Sequence, residues 1–113
     1  MAKHTYVSKH FTDYKLKRQS QHSDTEQFDS LTRLYTYGTF MNKAKDLLSS
    51  SSENSSHAFL LIDIDDFGQA NDDFGLIFAD TFLIELANRL LKLCEGTDNI
   101  IARYGADEFI MLI

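Results

Sequence analysis

The apolar pattern changes character several times along the chain. Residues 1–27 are polar. Phe11, Tyr14 and Leu16 could seed a short helix, but "KRQSQHSDTEQ" after them has no apolar period. A stretch of this kind buries too little surface to order itself, so a polar arm is expected over 1–27, weakly helical or disordered. Order is expected from residue 28 to 113. In "FDSLTRLYTYGTF", Asp29 or Ser30 can cap a short turn, with Leu31 and Leu34 facing inward. From Thr39 to Leu48 the apolar residues Phe40, Met41, Ala44, Leu47 and Leu48 recur at helical spacing. "SSSSENSS", residues 49–56, holds no apolar side chain and reads as a loop.

"AFLLIDI", residues 58–64, is a nearly continuous apolar run. That pattern predicts a strand buried on both faces. Acids close it: Asp63, Asp65 and Asp66. "DFGQANDDFG" reads as a short helical turn or loop. From Phe78 to Cys94 one face carries Phe82, Leu83, Leu86, Ala87, Leu90 and Leu91 and the other Glu85, Asn88, Arg89 and Lys92, which predicts an amphipathic helix that Gly96 ends. Last comes a hairpin, "NIIARY" and "DEFIMLI", around a tight Gly105–Ala106 turn. Helix, strand, helix, strand, strand implies a mixed α/β (α+β) fold, with helices packed on one sheet.

Length allows one small domain of 113 residues, and a net charge of −6 argues against a nucleic-acid surface. An acidic protein that handles phosphates needs a metal to offset repulsion. Cys94 is the only cysteine and falls on the apolar stripe of a helix, so it reads as core packing. A lone reduced cysteine suits a cytoplasmic protein. No apolar run is long enough to span a membrane, and the four histidines have no metal-ligand spacing.

Ligands of open α/β sheets bind outside the carboxyl ends of strands. Asp63 lies at such an end and Asp107 at the hairpin tip. If the hairpin pairs beside the strand, the two carboxylates converge into an oxygen site for Mg²⁺ or a similar hard cation. The plainer alternative is that these acids solubilise a turn and cap a helix; for Asp65 and Asp66 it is preferred. Asn71 and Asp80 are a second pair. A carboxylate can accept from both donors of guanine's Watson–Crick edge, and an amide can donate and accept. Taken alone, both are ordinary turn and cap residues.

The segments "DSLTRLY", "LLIDIDDF", "NDDFG" with Asp80 five residues on, and "RYGADEF" resemble, in this order and spacing, the GGDEF domain of diguanylate cyclases. The resemblance runs from Asp29 to Ile113. It implies a ferredoxin-like or nucleotide-cyclase-like sheet with the signature hairpin at its centre, here incomplete at the C-terminus. It implies GTP as ligand, cyclic di-GMP as product, and a homodimer in which each 3′-hydroxyl attacks the other's α-phosphate. By position, Asp63, Asp107 and the Ile64 carbonyl would hold Mg²⁺ (or Mn²⁺), Asn71 and Asp80 would read guanine, and Gly105–Ala106 would form the phosphate turn. Asp107 and Glu108 would be the catalytic acids, Glu108 as base or as a further metal contact.

The chain departs from the pattern at several positions. Ala106 stands for the second glycine, at a strain cost if φ there must be positive. Gly68 stands for a lysine, Leu76 for a histidine and Ala79 for a glycine, and Thr36-Tyr37 for Asn-Arg. Gly96 and Asn99 stand where a product-inhibition Arg-x-x-Asp would fall. The family pattern also continues beyond Ile113, so Leu112, Ile113 and part of the long helix are expected to be exposed. A non-catalytic module that senses nucleotide or binds a protein is the alternative reading.

Overall fold

The structure, a computed structural model, describes the backbone of residues 2–5 and the whole of residues 26–113. Its elements are β1 (Ala2–Thr5), α1 (Tyr37–Ser49), β2 (Phe59–Asp63), α2 (Phe67–Phe74), α3 (Leu76–Cys94), β3 (Ile100–Gly105) and β4 (Glu108–Leu112). The strands form one antiparallel sheet in the order β1-β2-β4-β3. This is the expected α+β architecture.

β4 shows why the apolar runs had to be continuous. Ile110 and Leu112 point to one face and pack with Tyr37, Phe40, Met41 and Ala44 of α1. Phe109 and Met111 point to the other and pack with Leu83, Ala87 and Cys94 of α3. A strand buried on both faces leaves no position for a polar residue. At about 25 cal/mol per Å² of apolar surface removed from water, each such phenylalanine or leucine contributes on the order of 2 kcal/mol. Burial also pushes the Cys94 thiol up from its ordinary pKa, so it stays a protonated, inert core side chain.

The boundaries differ from the expected ones in instructive ways. α1 starts at Tyr37, whose side chain is fully buried. "FGQANDDF" is a helix in its own right, separated from α3 by Gly75 at φ +90°. Cys94 is the last residue of α3, and Gly96 follows at φ +72°, as expected. Leu112 is fully buried beneath α1 rather than exposed, whereas Ile113, Phe82, Leu91 and Leu93 are exposed.

β4 lies inside the sheet but its hairpin partner β3 lies at the edge, so the hairpin is not wholly central. Residues 28–36 run along that edge: Tyr35 bridges Ala102, and the Arg103 N–H donates to the Tyr35 carbonyl at 3.1 Å. The expected arm falls mostly outside the described residues; of it, Ala2–Thr5 pair as a strand with β2.

Candidate functional site

The hairpin turn is displaced by one residue from its expected place. Gly105 is the last residue of β3 and pairs with Glu108, so Ala106 and Asp107 form the two-residue loop. Pairing is irregular between Arg103 and Gly105, a bulge of the kind that re-aims a turn. Arg33 and Asp66 are the non-glycine residues of positive φ among those described. Ala106 is not one of them, so the strain anticipated there does not arise. Its side chain is exposed.

Register then builds the acid cluster. β2 and β4 pair so that Asp63 stands directly opposite Glu108. By alternation both follow the phase of Leu61 and Ile110, the face that α1 covers. One residue further, the Ile64 N–H donates to the Asp107 carbonyl at 3.1 Å. Asp63, Ile64, Asp107 and Glu108 are thereby brought together at one end of the central strand pair. Asp63 is exposed, and Asp107 and Glu108 are half-buried.

The turn is held from the other side by a residue whose role the sequence did not disclose. The Arg103 guanidinium donates through Nε to the Gly105 carbonyl at 3.2 Å and through Nη2 to the Ala106 carbonyl at 2.8 Å. Its Nη1 reaches both carboxylate oxygens of Asp29, at 3.3 and 3.1 Å. Asp29 in turn accepts from the Thr32 N–H and hydroxyl, both at 2.8 Å. Burial alone would raise the Asp29 carboxyl, but the bonds from Thr32 and the charge of Arg103 outweigh it and hold its pKa below the ordinary value. Asp29 was expected as a turn cap, which it is; an acid and an arginine 74 residues apart give no local signal that they also meet.

Asn71 and Asp80 lie on neighbouring helices, α2 and α3, and both are half-buried. The bond that ties Asn71 to the junction is from the Gly75 N–H to its carbonyl, 2.8 Å. Gly68 sits on α2 with nothing within 4 Å of where a Cβ would stand.

A divalent ion such as Mg²⁺ needs a set of hard oxygen donors. Among the described residues no three His, Cys, Asp or Glu side chains are gathered closely enough to hold one by themselves. Two carboxylates and a backbone carbonyl remain, which fits Mg²⁺: that ion is commonly held by one or two carboxylates plus substrate phosphates and water. Among the described residues no helix is long and apolar enough to cross a membrane.

Comparison with known proteins gives the family and the fold. Residues 26–113 match the family described as "Diguanylate cyclase, GGDEF domain". The chain is 35% identical over 100 residues to the probable diguanylate cyclase DgcE of Escherichia coli, covering 88% of this chain and 9% of that protein. Identity to the diguanylate cyclase VdcA of Vibrio cholerae is 35% over 86 residues, covering 75% of this chain and 24% of the relative. Among solved structures, the GGDEF domain of TpbB (YfiN) from Pseudomonas aeruginosa superimposes with a TM-score of 0.68 at 33% identity, covering 76% of this chain and 50% of that one. The chain thus spans a quarter or less of these two curated relatives and half of that structure. With the matched segment reaching from Glu26 to Ile113, the chain belongs to the GGDEF domain family of diguanylate cyclases.

Proposed function

We propose that this chain binds GTP together with Mg²⁺ or Mn²⁺ at the β2–β4 end, and that a complete, dimeric form of the domain condenses two GTP into cyclic di-GMP. One observation carries the reading: Asp63 directly opposite Glu108, with Asp107 beside them. Like charges directly opposite in a ladder destabilise the pair. A cation bound beside them would offset that repulsion.

In this reading the Asp63 and Asp107 carboxylates and the Ile64 carbonyl hold the ion, which supplies charge neutralisation to the triphosphate. The Gly105–Ala106 backbone, kept in place by Arg103, lies against the phosphates. Asn71 and Asp80 read the guanine edge. Glu108 takes the proton of the attacking 3′-hydroxyl or adds a metal contact. Each domain holds one nucleotide, so catalysis requires two domains face to face. A GTP-dependent reaction belongs in the cytoplasm.

Gly68 and Leu76 favour a second reading, a non-catalytic module that senses nucleotide or binds a partner, because the lysine and histidine of the family pattern are replaced. Titration calorimetry with GTP and ATP in Mg²⁺ tests nucleotide recognition. GTP should bind more tightly than ATP, and Asp80→Ala should remove most of that preference. Equal affinities in the unmutated chain would contradict the guanine assignment. Binding without any cyclic di-GMP formed by a longer chain that includes this segment would select the second reading.

A further inference from the structure

α2 has weak local support. Its N-cap, Asp66, sits in the left-handed region at φ +58° and makes no side-chain cap bond. Gly68 occupies its first turn, and glycine inside a helix lowers stability several-fold relative to alanine. Asp72 and Asp73 lie in the last turn, where the helix dipole disfavours negative charge, and that turn holds no basic residue. An isolated helix of eight residues is marginal without tertiary contacts. α2 packs against α3, yet none of its residues is fully buried, whereas α3 buries Ala79, Leu83, Ala87 and Cys94. Phe67 packs against the core, and Phe74, 66% exposed, lies tilted against Phe78 with ring centroids 5.0 Å apart. A second positive-φ residue, Gly75, separates it from α3.

We propose that α2 unfolds locally, between Asp66 and Gly75, while α3 and the sheet stay intact, and that bound nucleotide orders it. The second half rests on the assignment of Asn71 to guanine, because Asn71 is the α2 residue a ligand would engage. Binding then includes a folding step. The open fraction weakens apparent affinity, and any change that pre-forms α2 reduces that loss. The device separates a sheet-held metal end from Asn71, whose helix is held closed by the ligand.

Amide hydrogen exchange on the 113-residue chain tests this. Without ligand, amides of Ala70–Phe74 should exchange on the order of a hundredfold faster than those of Leu83–Leu90, by an opening that leaves α3 protected. Gly68→Ala places its methyl in open space and should slow α2 exchange about fivefold. Saturating GTP with Mg²⁺ should slow it about tenfold or more. Protection of α2 equal to that of α3, or no response to Gly68→Ala, would overturn local opening. Calorimetric GTP binding with α2 exchange unchanged would overturn the ordering while the nucleotide reading stood. Absence of GTP binding would overturn that reading and the ordering with it; the ligand-free exchange would still decide the opening.

Discussion

The two ends of the candidate site are held by opposite means. At the hairpin end, Asp63 and Glu108 close strands whose next residues inward, Ile62 and Phe109, are buried, and Arg103 clamps the turn backbone to Asp29. At the α2 end, Asn71 rides on a helix without a buried residue, a side-chain cap bond or a basic residue in its last turn. A metal site gains from rigid donors, because misplacing a carboxylate forfeits most of its worth. A base-reading residue can be recruited late, and then part of the binding energy goes into ordering it.

Truncation experiments should expose the contrast most strongly. Phe109→Ala removes a fully buried ring and should cost about 3–5 kcal/mol in urea unfolding. Phe74→Ala should stay within about 0.5 kcal/mol, since that ring is mostly exposed. Similar losses at both positions would erase the distinction between the two ends.

Arg103→Ala comes next. It removes charge-assisted bonds to two turn carbonyls and to Asp29, and should cost about 2–3 kcal/mol. Arg103→Lys keeps the charge but not the planar fork, so it should recover only part of the loss. Full recovery by lysine would mean that charge, not the clamp on the turn, is what matters.

The clamp should also show in acid. The Asp29 carboxyl has a folded pKa below its unfolded value of 3.8. Its contribution is therefore present above about pH 4 and lost as pH falls through the lower folded value. Asp29→Asn should lower stability at neutral pH and flatten this part of the acid profile. An unchanged profile would separate Asp29 from the pair. The smallest effect is expected at α2: a Cβ at Gly68 would stand in open space, and Gly68→Lys should tighten Mg²⁺-dependent GTP binding about fivefold. No gain would show that the phosphates do not pass that helix.

Much of this was legible in the sequence where physics is periodic. Continuous apolar runs announced β2 and β4, although β2 is half-buried over residues 59–61 and buried only at Ile62 while β4 is buried on both faces, and the 3.6-residue stripe announced α3. The meeting of Asp63 with the hairpin acids followed from strand order. What was not legible depended on tertiary closure or single dihedral angles. Arg103 finds Asp29 only once residues 28–36 lie along β3. The turn falls on Ala106–Asp107 because of an irregularity beside Gly105 that no residue type announces. α2 reads as a short helical turn or loop because its glycine and acidic end are loop-like, the same features that leave it marginal as a helix. The guanine assignment of Asn71 and Asp80 came from family resemblance, not from any pattern in the apolar residues.

The central claim is that strand register builds a cation site which only a nucleotide completes. Calorimetric titration of GTP into the chain, with Mg²⁺ and with a chelator, tests it directly. GTP should bind in Mg²⁺, lose about tenfold or more in affinity in the chelator, and show a comparable loss in Mg²⁺ for Asp63→Asn and for Asp107→Asn. GTP affinity unchanged by the chelator and by both substitutions would contradict it.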